Sequence, residues 1–309
     1  MADISTIFLK ILQLFILIAI GYIAAKGKVI TQEGRKHLAE VVLTITNPCS
    51  VLFAVLDGEN TLTRLQVLLL TLIAFAAYAF LILLAHFLPK ILHEKGPEAG
   101  IWRFMLVFSN VGFFGFPVVR AVFVQDSSAV FYAAIFNLVF QLLAYTYGVR
   151  QISGDKNEGR LHPKLMLKPI IIASLLAYVI YFTGWRAPAF VTSTVGFLAN
   201  VTSPVCMLII GCSLAAVPVR RVFTRWKLYP MLIVKQIVIP VAVYFALSGF
   251  VTNETILGIC VIMMAMPVAA LTALFCAKYE RNGELAASGV FISTLLSIAT
   301  IPLLIWILF

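Results

Sequence analysis

Charge is what this chain has least of. Of its 309 residues, 12% are Asp, Glu, Lys or Arg and 62% are hydrophobic, whereas soluble domains carry about 25% charged residues. That composition leaves no room for a soluble domain of any size. Carboxylates are scarce where they would matter most: each of the thirteen Asp and Glu residues lies in a polar loop or near the end of an apolar run. Proton and sodium antiporters bind the coupling cation with carboxylates deep in the bundle, and none is expected here at that depth. Histidine is equally thin. His37, His86, His93 and His162 fall at or near the ends of apolar runs, without the His and acid clusters that an intramembrane hydrolase or transferase needs, so the chain does not read as an enzyme. The five cysteines, Cys49, Cys206, Cys212, Cys260 and Cys276, sit inside apolar runs without metal-type spacing. They read as small buried hydrophobes, and no disulfide, metal or cofactor is implied.

Long hydrophobic runs are what the chain has instead. Windows of about 20 apolar residues, the length that crosses a bilayer, give ten candidate spans: 5–25, 36–56, 65–88, 101–124, 127–149, 167–184, 189–215, 227–248, 253–277 and 285–308. The first carries Lys10 within it and has no basic segment before it, so it reads as a span and not as a cleaved leader. The net charge of +10 is distributed unevenly. Alternate loops hold the basic groups from Lys26 to Lys36, Lys90 to Arg103, Arg150 to Lys168, Arg220 to Lys227 and Lys278 to Arg281, while the opposite side holds only Arg64, Arg120 and Arg186. Cytoplasmic loops carry the Lys and Arg excess. Both termini are therefore expected outside, in a multi-pass protein of the cell inner membrane whose partner is the bilayer and not nucleic acid.

The chain also echoes itself. Asn47-Pro48 follows Ile45-Thr46, and Ser203-Pro204 follows Val201-Thr202, 156 residues later; Pro117 breaks one apolar run and Pro267 another, 150 residues later. Two echoes at nearly one offset suggest a duplicated chain, and copies with an odd number of spans insert upside down relative to each other. The expected fold is all-α integral membrane, ten transmembrane helices as two inverted five-helix repeats, with helices 4 and 9 broken at proline. The first repeat is 1–149, a polar cytoplasmic linker covers 150–166, and the second repeat is 167–309.

Candidate chemistry gathers at the breaks. In the run from Phe108 to Pro117, Gly112 and Gly115 lower the cost of unwinding and Pro117 removes a donor. Met266-Pro267 repeats the device in the ninth span. Half-helices opening at mid-depth would aim free N–H groups and positive dipole ends at an anion; a pair of ordinary proline kinks is the plainer account. Lys235 is the one basic residue placed near the middle of a span. Burying it is costly, so it reads either as an anion ligand or resident cation, or as a cap on backbone carbonyls at a broken helix. Asn110, Asn137 and Gln141 are the neutral groups suited to hold a carboxylate, while Thr272, Ser293, Thr294 and Ser297 read rather as polar glue between helices.

In these strings the chain resembles the auxin efflux carrier family, whose bacterial members include proteins assigned to malonate transport. The resemblance rests on Gly21-Tyr22, Pro48, Asn110-Val111-Gly112-Phe113-Phe114-Gly115-Phe116-Pro117, the stretch from Pro204 to Gly211, Lys235 with Pro240, Ala265-Met266-Pro267, and Ser293 to Ser297. It covers essentially the whole chain. It implies a fold related to bile-acid and sodium/proton exchangers, with helices 4 and 9 crossing at Pro117 and Pro267. Core helices 3–5 and 8–10 would slide against scaffold helices 1, 2, 6 and 7. The implied function is secondary transport of small organic anions, carboxylates such as malonate, by alternating access. Asn110, Gly115, Pro117, Asn137, Gln141, Lys235, Met266 and Pro267 would bind substrate, and Asn47, Pro48, Ser203 and Pro204 would shape the scaffold. The alternative is a passive anion channel, or a uniporter for larger aromatic acids of the auxin kind. A homodimer stays open, because no small-residue stripe decides it.

Overall fold

A bilayer offers backbone groups no partner but each other, so apolar runs of this length must fold as helices. In the computed structural model of the chain they do. Residues 4–57, 62–124, 126, 128–155, 159, 167–216 and 222–309 are described, and most of the expected linker at 150–166 lies outside them, as do Lys156, Arg160, Lys164, Arg220 and Arg221. Among the described residues the protein is all-helical apart from one isolated bridge. The helices are α1 (Ile4–Lys26), α2 (Gln32–Leu56), α3 (Arg64–Ile91), α4 (Pro97–Val107), α5 (Val111–Val122), α6 (Ala129–Ser153), α7 (Pro169–Thr183), α8 (Ala189–Ala215), α9 (Leu228–Ser248), α10 (Glu254–Ala265), α11 (Leu271–Lys278) and α12 (Gly283–Leu308). Seven of them are long and apolar enough to cross a membrane, and α5, α7 and α10 are shorter apolar helices.

Two of the expected spans are each divided in two. Residues 101–124 contain the end of α4 and all of α5, separated by extended chain at Phe108, Ser109 and Asn110; residues 253–277 contain α10 and most of α11, separated at Met266 to Ala270. The first break therefore lies several residues before Pro117, and not at it. Pro117 sits inside α5, just after a π-helical turn at Val111–Gly115. A proline ring crowds the carbonyl four residues back, and a π turn widens the backbone there. The same device leads into Asn47-Pro48 (Val42–Thr46) and Ile239-Pro240 (Val234–Val238). A fourth π turn, Ala144–Gly148, precedes no proline, and Pro204 lies within α8 without such a turn.

The chain divides into two compact units: one of residues 1–71, 112–138 and 166–216, the other of 72–111, 139–165 and 217–309. In the first unit α8 packs along α1 and against α2, and α2 against α7. The contact of α1 with α8 is backbone on backbone. A Cβ at Gly21 would lie 2.3 Å from the Leu208 carbonyl oxygen, and one at Gly211 would lie 2.0 Å from that of Ile18. Small residues permit such an approach between helices in lipid. Ser50 Oγ of α2 donates to Thr202 Oγ1 at 2.8 Å and to the Ala199 carbonyl at 3.2 Å.

In the second unit α9 packs on α10, and α4 packs beside the end of α6. An aromatic cluster of Phe104, Phe108, Phe140, Tyr147 and Phe275 fills the space around α4. Three helix ends here are held by basic side chains from far along the chain. Lys227 Nζ donates to the Leu92 carbonyl just past α3 (3.0 Å) and to Glu94 Oε1 (2.7 Å). Arg281 donates to the carbonyls of Ile152 and Ser153, closing α6. Lys235 does the same for α4.

Candidate functional site

The interruptions of α4 and α10 are the reason a site can exist in the second unit. Each leaves backbone groups without helical partners, and in hydrocarbon every unsatisfied group costs several kcal/mol. Phe108 ends α4 in extended conformation, with φ −100° and ψ 112°, and Met266 ends α10 similarly, with φ −60° and ψ 147°. The two extended pieces pair with each other: Ser109 and Val268 form an antiparallel bridge. Asn110 N–H donates to the Pro267 carbonyl at 2.7 Å, and Ala269 N–H to the Phe108 carbonyl at 3.0 Å. Val268 N–H donates to Ser293 Oγ of α12 at 3.0 Å, and that hydroxyl donates onward to the Val290 carbonyl. Pro267 needs no N–H partner because it has none.

Lys235 supports this junction from α9. Its side chain is 1% exposed; Nζ donates to the Leu106 carbonyl at 2.9 Å and to Ser109 Oγ at 3.0 Å. The ammonium thus stands at the C-terminal, negative end of α4, where a cation is favoured. Among the described residues no carboxylate pairs with it. Gln236 beside it donates through Nε2 to the Ser293 carbonyl at 2.9 Å, and its Oε1 has no partner among the described residues. Of the expected ligands, Lys235, Asn110, Met266 and Pro267 are therefore gathered around one junction. Asn110 is 6% exposed, and its side chain makes no hydrogen bond among the described residues. Gln141, on α6, is half-buried.

Asn137, Gly115 and Pro117 belong to the first unit, and so do Asn47, Pro48, Ser203 and Pro204. There Gly112 is the pivot: a Cβ on it would lie 3.5 Å from Asn137 Oδ1 and 3.8 Å from Asn47 Nδ2. The two amides thus flank one backbone position. Both are buried, each 1% exposed. Neither polar atom of Asn137 has a hydrogen-bond partner among the described residues, nor has Asn47 Oδ1 or Thr46 Oγ1. Buried polar groups are paired in the great majority of cases, so this cluster stands out. Gly115 and Pro117 are buried within α5, and Pro117, Ser203 and Pro204 line a cavity of the first unit.

The hydroxyls expected to be glue behave mostly as local groups. Thr272 Oγ1 donates to the Ala269 carbonyl, Thr294 Oγ1 to Val290 and Ser297 Oγ to Thr294, each within its own turn. Thr272 meets the junction at Ala269, and Ser293 reaches it from α12. Ser109, which receives Lys235, escaped the sequence reading; its one signal was its place beside Asn110 at the unwound approach to Pro117. The capping roles of Lys227 and Arg281 carried no local signal.

Comparisons with known proteins place the chain among membrane transporters. The profile of a family described as membrane transport protein matches residues 6–164 and 160–306. An uncharacterized transporter of Methanocaldococcus jannaschii is 25% identical over 306 residues, 96% of this chain and 97% of the relative. A protein of Rhizobium meliloti named "Putative malonate transporter" is 22% identical over 310 residues, 96% and 94% of the two chains. An uncharacterized transporter of Escherichia coli is 20% identical over 315 residues, 96% of each. Transport rather than catalysis is what these names share. With apolar helices throughout, interrupted ones that bridge each other and full-length similarity to transporters, the chain belongs to the membrane transport protein family, of the auxin efflux carrier kind, as a multi-pass helical membrane protein.

Proposed function

We propose that this protein is a secondary transporter of small organic anions, carboxylates such as malonate, working by alternating access. The observation that carries the reading is Lys235: a buried basic side chain, opposed by no carboxylate among the described residues, held against an interrupted helix. A resident positive charge at a break favours an anionic cargo over a cationic one. Asn110 and Gln141, of the same unit as Lys235, orient the carboxylate; Asn137 of the first unit, its amide unpartnered among the described residues, is a separate candidate for binding the cargo. Gly115, Pro117, Met266 and Pro267 shape the backbone that the cargo meets. The name of the Rhizobium meliloti relative favours a small dicarboxylate.

The fuller architecture is part of the same proposal. Residues 1–149 and 167–309 form inverted five-helix repeats, both termini lie outside the inner membrane, and the basic loops face the cytoplasm. Uptake of labelled malonate into proteoliposomes tests the function, with membrane potential, pH gradient and sodium gradient imposed one at a time. Saturable uptake that follows one gradient, with counterflow, is expected. Non-saturating flux without counterflow would identify a channel. No malonate uptake by folded protein under any gradient would remove malonate and turn the search to aromatic acids.

A further inference from the structure

The first unit contains a cavity of about 430 Å³, within the range that small-molecule sites occupy. Two cations line it, Lys10 from α1 and Arg120 from α5, with Asp126 as the one carboxylate. Arg120 lies on the side of the chain that carries the fewest Lys and Arg residues, and Lys10 lies within the first apolar run, so their meeting in one cavity is not a by-product of a basic surface. The remaining wall is apolar around Phe53, with Asn200 and Ser203 adding neutral polar groups.

Arg120 is held in a defined pose. Its Nη1 donates to the Ala199 carbonyl at 3.3 Å and to Asn200 Oδ1 at 3.4 Å. Both partners sit one turn before Pro204, which lacks the N–H that would have closed on the Asn200 carbonyl and so loosens that part of α8. Nε and Nη2, the other edge of the guanidinium, make no hydrogen bond among the described residues. That edge matches a carboxylate in two-point geometry. Lys10 also has no hydrogen bond or ion pair among the described residues. Asp126 Oδ1 accepts from Ser128 N–H at 3.0 Å, which turns it toward its own loop.

We propose that this cavity is a second anion site, in which the free edge of Arg120 grips the carboxylate of a small organic acid and Lys10 adds to the attraction. It is distinct from the junction around Lys235, and it rests on the transport reading only for the choice of malonate as probe. The test is direct binding of labelled malonate to the purified full-length protein in neutral detergent, which reads occupancy without any flux. Arg120→Gln is expected to weaken binding by about tenfold or more, with Arg120→Lys intermediate, because it keeps the charge and loses the fork. Lys10→Gln, at an exposed position, keeps the question answerable if the Arg120 variants fail to fold, and is expected to weaken binding severalfold. Asp126→Asn is expected to tighten it. Malonate binding that none of these variants changes would overturn the site, as would a wild-type protein that binds neither malonate nor acetate. Arg120-dependent binding of phosphatidylglycerol in place of the carboxylates would overturn it too, by assigning the cavity to a lipid headgroup. Loss of gradient-driven uptake with binding intact would instead count against the transport reading alone.

Discussion

The surroundings of Pro267 in the second unit and of Gly112 in the first treat their buried polar groups in opposite ways. Around Pro267 in the second unit, backbone and side chains are tied together: Lys235 to Leu106 and Ser109, Ser293 to Val268, Asn110 to Pro267 and Ala269 to Phe108. Gln236 Oε1 is the exception there among the described residues. Beside Gly112 in the first unit, Thr46, Asn47 and Asn137 leave four buried atoms without partners among the described residues. A satisfied network makes one backbone arrangement rigid, whereas an unsatisfied one is costly unless something else serves it. The lesson is that a broken helix alone does not mark a binding surface. Around Pro267 the polar residues hold a break open, and beside Gly112 they are kept in reserve.

The strongest way to break that contrast is Lys235→Met, which keeps the volume and removes the charge. It strips the cap from Leu106 and the donor from Ser109, and charge-assisted hydrogen bonds contribute about 1.5–3 kcal/mol each. Anion uptake is expected to fall to background, with a clear drop in melting temperature in detergent for a protein that still reaches the membrane. Wild-type uptake in this variant would remove Lys235 from the mechanism. Asn137→Leu tests the other side and carries the opposite sign for stability. Removing two unpartnered buried atoms is expected to leave stability unchanged or raise it by about 1 kcal/mol, while uptake falls by an order of magnitude. A loss of stability would mean that Asn137 is structural after all. The smallest effect is expected at Thr294→Val. Its hydroxyl donates only to its own helix at Val290, so a change of roughly 0.5 kcal/mol or less is predicted from the weakness of such bonds in membranes, with uptake unaltered.

Much of this could be read from the chain, and the remainder has a common cause. Helix placement followed from apolar run length, and Lys235 announced itself as the charge nearest mid-span. The first break was misplaced because its visible mark, Pro117, answers to a π turn, while the extended residues Phe108 to Asn110 are defined by pairing with Val268 and Ala269. That pairing is made by backbone atoms, which every sequence shares. Asn137 could be recognised as buried and polar, but whether its amide has partners depends on residues 25 or more positions away. Arg120 read as a charge at the sparse end of a span; its place three residues after Pro117, on the same short helix, was the only hint that it turns inward.

The capped helix ends also set an order of events during synthesis. Leu106 is joined to Lys235 across 129 residues of chain, and translation at about 5–20 residues per second puts roughly 6–26 s between the two. For that interval α4 has been made and its last turn has no ammonium to receive it. A cysteine placed by Ser109→Cys is therefore expected to react with a water-soluble thiol reagent in nascent chains arrested before residue 235, and to be protected in completed protein. Equal protection in both would mean that the first half closes its own break without waiting for the second.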